Sequence, residues 1–191
     1  MAKSSAFSLI PREIKSIKSN NRKIRGLLPL PRAESVFDEL DVYESRSMHG
    51  QIPIIWDRAV GHNVYDNTGN KWIDFTSTIF VSNCGHSHPK IKKALINQIN
   101  SDLIHSYTYP TDIRSTYLRR LIEATPKSLE KSFLLSSGTE ATEVAYKLIR
   151  LHGQKIGKRR TGVVAFEGAM HGRTLAAVLL GGSAKSRDWI G

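Results

Sequence analysis

Lys131-Ser132-Phe133-Leu134-Leu135-Ser136-Ser137-Gly138-Thr139-Glu140-Ala141 joins an apolar run to a segment of helical period, and this junction decides the fold. Phe133-Leu134-Leu135 reads as a buried strand. Ala141, Val144, Ala145, Leu148 and Ile149 then recur at helical spacing and predict a helix ending near Gly153. A second apolar run, Val163-Val164-Ala165-Phe166, reads as another strand. Strand, helix and strand in this order form the unit of a parallel sheet with a right-handed connection. Ligands of such sheets bind beyond the carboxyl ends of the strands, where the loop 136–139 and the loop 167–174 both fall.

In the first loop Gly138 lets the backbone approach an anion, and Ser136, Ser137 and Thr139 carry hydroxyls that can donate to phosphate oxygens. The dipole of the helix that follows adds positive potential at the same spot. The lysine of a GxxxxGK[ST] loop is missing and the pattern is not GxGxxG, so a small phosphorylated ligand fits better than a nucleotide. The same residues also suit a plain helix cap, with Ser137 or Thr139 at the N-cap and Glu140 or Glu143 complementing the dipole. Spacing alone does not separate cap from phosphate site. The second loop, Phe166-Glu167-Gly168-Ala169-Met170-His171-Gly172-Arg173-Thr174, sets a histidine and an arginine among glycines. Such an arginine is suited to bidentate capture of a carboxylate or phosphate; the competing reading is a surface arginine paired with a nearby acid.

Upstream, residues 1 to about 35 are basic and interrupted by Pro11, Pro29 and Pro31, which predicts a poorly ordered arm holding at most one short helix. From Ile52 onward, Ile54 to Trp56, Val64-Tyr65 and Trp72 to Phe75 read as short strands of an antiparallel meander. Asn67-Thr68-Gly69-Asn70 is the hairpin loop between the last two. Pro89 opens a helix with Ile91, Ala94, Leu95 and Ile99 on one face. After Pro110, residues Ile113, Tyr117, Leu118, Leu121 and Ile122 mark a second packing helix beginning at Asp112.

The 191 residues suffice for one domain of ordinary size, and 28 Lys+Arg against 17 Asp+Glu leave a net charge of +11. Much of the excess sits early, at Lys3, Arg12, Lys15, Lys18, Arg22, Lys23, Arg25 and Arg32. A basic arm can touch nucleic acid or an anionic surface; the competing reading is a solvated, mobile tail. The single Cys84 excludes an intramolecular disulfide, fits a reducing compartment and reads as a small buried apolar residue rather than a nucleophile. With no apolar run of membrane-spanning length and no signal-peptide core, the cytoplasm is the expected location. His86 and His88 could meet one ion at i and i+2, but no ligand pattern completes the set, so no metal is expected.

Taken in order, Gly69-Asn70-Lys71-Trp72-Ile73-Asp74-Phe75, Gly85-His86-Ser87-His88-Pro89-Lys90-Ile91, Ser137-Gly138-Thr139-Glu140-Ala141 with Lys147-Leu148-Ile149-Arg150, and Phe166-Glu167-Gly168 with His171-Gly172-Arg173-Thr174 form a set. The set resembles the class III aminotransferases, pyridoxal phosphate enzymes of the ornithine, acetylornithine and 4-aminobutyrate type. The resemblance covers about residues 40 to 180. It implies an α/β fold: the N-terminal part of a fold type I transferase, with a small antiparallel meander and the start of a mixed, mostly parallel large-domain sheet. The implied organisation is a basic arm over 1–40, a small-domain segment and connecting helix over 41–100, and an incomplete cofactor-binding large domain over 101–191.

The same resemblance assigns expected roles. Gly138 and Thr139, with Ser137 beside them, match the positions that hold the cofactor phosphate. His171 lies against the cofactor pocket, and Arg173 matches the position that in several members binds a substrate carboxylate. Met170 stands where the family usually places Phe or Tyr to stack on the pyridine ring; its sulfur offers a polarizable face worth about 0.3–1.5 kcal/mol against an aromatic ring. Thr78 stands where many members carry glycine. The Schiff-base lysine and the acid paired with the pyridine nitrogen come, in the family, from strands well beyond the His-Gly-Arg-Thr loop, and Lys185 does not match that lysine. No catalytic residue is therefore expected here: the chain reads as the N-terminal portion of a longer enzyme, inactive alone. Expected partners are an amine or amino acid, a 2-oxo acid and a second copy of the full-length enzyme, with neither membrane nor nucleic acid. The alternative is a catalytically dead basic binding protein that uses its arm for nucleic acid or a protein partner.

Overall fold

The computed structural model describes residues 7–45, 50–159, 162–181 and 184–190. The chain divides into two units, Met1–His105 and Ser106–Gly191.

The first unit is built on short antiparallel strands. β5 (Arg58–Val60), β6 (Asn63–Tyr65) and β7 (Lys71–Ile73) form the expected meander, with Ala59 opposite Val64 and Val64 opposite Trp72. The turn from β6 to β7 is organised by Asp66, whose Oδ1 accepts from the amides of Thr68 and Asn70, both at 2.9 Å, while Gly69 supplies a φ of 82°. Ile54 to Trp56 do not join the sheet as expected. The Ile54 amide turns back onto the Ile52 carbonyl at 2.7 Å, and the ladder begins only where the Asp57 amide reaches Tyr65 O at 2.8 Å.

The basic segment, expected to be poorly ordered, is folded from residue 7 onward, and residues 1–6 lie outside the described residues. β1 (Arg12–Glu13) pairs with β4 (Leu27–Leu28), while β2 (Ile17–Lys18) and β3 (Lys23–Ile24) extend the meander into a five-stranded sheet of order β2-β3-β7-β6-β5. α1 (Ala33–Tyr43) follows. The reason lies in polar side chains of the meander that bind the arm's backbone: Asn70 Oδ1 accepts from Arg25 N at 2.9 Å, and Asn63 Nδ2 donates to Asn21 O at 2.8 Å. Ile24, Leu30, Ala33 and Phe37 are buried with Val64, so the arm contributes much of the unit's core while its charges stay in water. α3 (Pro89–Ile99) opens on Pro89 at its first turn as expected, yet Ile91, Leu95 and Ile99 remain exposed.

In the second unit α4 (Asp112–Glu123) is capped by Thr111, which accepts from Arg114 N, and α5 (Gly138–Lys155) is followed by α6 (Leu175–Leu179) and a 3-10 helix (Ala184–Ile190). Among the described residues its buried hydrophobic side chains are Ala176, Ala177 and Val178. The runs 131–135 and 163–166, expected as parallel strands, make no ladder among the described residues, and Phe133 and Val164 are 68% and 95% exposed. Parallel strands are held by neighbours on both edges and helices on both faces, and these two runs have neither. The α5 stripe expected to be buried is likewise open at Leu148 and Ile149. Among the described residues no helix is long and apolar enough to cross a membrane.

Candidate functional site

α5 starts where it does because Ser137, extended at φ -145° and ψ 160°, acts as its N-cap. Its Oγ accepts from the Glu140 amide at 3.4 Å and donates to Glu140 Oε2 at 3.0 Å. The capping reading of Ser137 is thus realised, and it leaves the amides of Gly138 and Thr139 without intrahelical acceptors. The positive end of an 18-residue helix is concentrated on those two groups.

The second loop is brought onto this helix end by hydroxyls and by an unusually close backbone. Thr139 Oγ1 and Thr174 Oγ1 lie 2.6 Å apart, and the Thr174 amide donates to Thr139 Oγ1 at 3.3 Å. Thr142 Oγ1 donates to the His171 carbonyl at 3.0 Å. Gly172, at φ 132°, packs so tightly on Thr139 that a Cβ there would overlap the threonine side chain. Glu143, one turn further along α5, accepts from the amides of Ala176 at 2.9 Å and Ala177 at 3.4 Å and so fixes the start of α6. The Thr174 hydroxyl, aided by the Ala177 and Ala176 amides, holds the Glu143 carboxyl below its ordinary range against the opposing effect of burial.

The structure therefore gathers Ser137, Gly138 and Thr139 with His171, Gly172 and Thr174 at one helix end. Arg173 projects from the same loop, exposed, and makes no ion pair among the described residues. Met170 is 73% exposed and lines a cavity of about 360 Å³ together with Gly172, Arg173 and Trp189. His171 is also exposed, with its ring beside Gly181. Sequence reasoning did not single out Thr142, Thr174 or Trp189 as site residues. The pairing of Thr139 with Thr174 spans 35 positions and leaves no local trace, whereas Glu143 stood one helical turn past Thr139 as a candidate for the dipole alone.

A second polar cluster lies in the first unit, where β7 ends. Asp74, its side chain only 3% accessible, accepts from Thr76 N at 2.8 Å and Thr76 Oγ1 at 2.7 Å through Oδ1. Its Oδ2 accepts from Thr78 N at 3.2 Å and meets His86 Nε2 at 2.8 Å. The Thr76 hydroxyl, then His86 and the Thr76 and Thr78 amides, lower the Asp74 carboxyl from 3.8 to about 2 although burial opposes them. This carboxylate anchors α2 (Ser77–Phe80), a single left-handed turn with φ of 46°, 53°, 55° and 73°. Four L-residues in that conformation cost about 1–2 kcal/mol each. Thr78→Gly should accordingly raise stability by about 1 kcal/mol in urea unfolding, since glycine takes the left-handed region without strain. A fall in stability would show that the Thr78 Oγ1 to Ser82 Oγ bond of 2.9 Å outweighs the strain. Cys84, expected to be buried, is exposed in the tight Ser82–Gly85 turn beyond. Among the described residues no group of three or more His, Cys, Asp or Glu is placed to hold a metal ion.

The family model described as aminotransferase class-III matches residues 44–191. The succinylornithine transaminase of Photorhabdus laumondii is 38% identical over 134 residues, covering 69% of this chain and 33% of that protein. The protein of the same description in Salmonella paratyphi A is 37% identical over 131 residues, 68% of this chain and 32% of the relative. The chain thus spans about a third of the length of the curated relatives it matches. Among solved structures, the ornithine aminotransferase of Toxoplasma gondii ME49 superposes with a TM-score of 0.72 at 21% identity, over 86% of this chain and 39% of that one. The Plasmodium falciparum ornithine delta-aminotransferase gives 0.61 at 28% identity, over 71% and 35%.

Proposed function

Since the chain belongs to the class III aminotransferase family, we propose that residues 137–139 and 170–174 form the cofactor-phosphate and substrate-carboxylate end of a transamination site. The observation that carries this is the joining of the two loops at the N-terminus of α5 through the Thr139–Thr174 hydroxyl pair. The residues present fit a phosphate ester: two amides free of intrahelical acceptors and a helix dipole, at a helix end fixed by the paired Thr139 and Thr174 hydroxyls. Class III aminotransferases use pyridoxal phosphate, and once bound it supplies the electron sink through which an amino group passes between an amino acid and a 2-oxo acid.

This chain's own residues would bind and orient. The Gly138 and Thr139 amides would donate to the phosphate, with Met170 lining the cavity beside it and His171 next to Met170 in the same loop. Arg173, in no ion pair among the described residues, would take the carboxylate of the amino acid or 2-oxo acid in a bidentate grip. No lysine is among the residues lining the cavity at Met170, so the 191-residue chain alone should bind without turning over. The exposed apolar faces of α3, α4 and α5 fit coverage by further polypeptide and by a second copy of the subunit. The alternative, a free basic arm on nucleic acid, is disfavoured because the backbone at Asn21 and Arg25 is bound into the meander.

Equilibrium dialysis with pyridoxine 5′-phosphate tests the reading, because that probe carries the phosphate and ring but no aldehyde to condense with surface lysines. Gly138→Asp puts a carboxylate where the phosphate would sit and should weaken binding by at least about tenfold. Equal affinity in the variant would refute the assignment.

A further inference from the structure

The cavity beside the loop junction has one wall that the proposed chemistry leaves unused. Trp189 lies on the 3-10 helix Ala184–Ile190, which packs against α6. Its indole Nε1 donates to the Ser186 carbonyl at 3.0 Å, so the ring's polar edge is already satisfied within its own turn. The indole is nonetheless 65% exposed and borders the same 360 Å³ cavity as Met170 and Arg173. The cavity therefore presents an indole face with no hydrogen-bonding demand and a polarizable thioether, beside an Arg173 guanidinium that makes no ion pair among the described residues. A flat, electron-poor ring matches the indole and the thioether and leaves Arg173 to the substrate carboxylate, whereas an aliphatic group leaves them without a matching surface.

The geometry points to Trp189 as the aromatic wall of the pocket, stacking on the planar ring of the phosphorylated pyridine whose phosphate the N-terminus of α5 holds. The inference rests on the pyridoxal phosphate reading above and adds a ring-recognition residue to it. Trp189 acts by contact with the ring alone, so its removal should weaken binding without altering the contribution of phosphate.

Indole emission of the 191-residue chain, titrated with pyridoxine 5′-phosphate alongside equilibrium dialysis, tests it. Trp56 and Trp72 belong to the first unit, and their response, recorded by itself in Trp189→Phe, is the reference. In the unaltered chain, saturable quenching is expected. In Trp189→Phe the quenching should vanish while dialysis shows affinity within about twofold, since phenylalanine keeps a stacking face. In Trp189→Ala the affinity should fall about three- to tenfold, with competition by inorganic phosphate unchanged. Quenching that survives in Trp189→Phe, or full affinity in Trp189→Ala, overturns the role of Trp189 and leaves the phosphate site standing. Absence of binding to the unaltered chain in dialysis overturns both. Should Trp189→Ala fail to fold, the Trp189→Phe titration decides alone.

Discussion

Gly172→Ala is expected to remove pyridoxine 5′-phosphate binding and to lower stability by about 2–5 kcal/mol. Two costs combine: a φ of 132°, which lies outside the comfortable range of L-residues, and a Cβ driven into the Thr139 side chain. Thr139 cannot retreat cheaply, because its hydroxyl is held by Thr174 and its backbone begins α5. Gly168→Ala supplies the contrast. Its φ is 75° but the space around it is open, so only the conformational cost of about 1–2 kcal/mol applies and binding should survive. Urea unfolding of both variants with parallel dialysis checks the difference. Equal losses in the two would show that the approach of the second loop to α5 is not what shapes the site.

Asp74→Ala is expected to cost about 3–4 kcal/mol in the same assay. The carboxylate is nearly inaccessible and satisfies the amides of Thr76 and Thr78, the Thr76 hydroxyl and His86; its loss leaves four donor groups without that acceptor, a cost that relaxation of the left-handed turn offsets only in part. Acid should trace the same anchor. Because folding lowers this carboxyl from 3.8 to about 2, its contribution is complete above about pH 4 and is lost as pH falls through the folded value. The unaltered chain should therefore lose stability between about pH 4 and pH 2 more steeply than Asp74→Asn, which has no proton to take up there. Parallel pH profiles in the two proteins would contradict the anchor.

Local chemistry was legible where a signal acts within one element. Pro89 and Pro110 announced their helices, Gly69 its turn, and the Ser136 to Ala141 junction a helix start. The family motifs added the cofactor and the role expected of Arg173. What stayed illegible depends on partners far along the chain. The arm's order comes from Asn63 and Asn70 gripping Asn21 and Arg25 across 42 and 45 positions, which composition reads only as charge. The two apolar runs flanking α5 have the composition of parallel strands, but a ladder also needs neighbours, and Val164 has none among the described residues. The left-handed turn at Ser77–Phe80 was hidden for a different reason: its residues carry no glycine, and the carboxylate that holds them precedes the turn.

Amide chemical shifts of the isotope-labelled chain report whether the two loops form one phosphate-binding junction. On titration with pyridoxine 5′-phosphate, the amides of Gly138, Thr139, Gly172 and Thr174 should move together along a single saturating curve, and the same four should respond to inorganic phosphate. Shifts confined to one loop, or to the basic residues between Arg12 and Arg32, would contradict it.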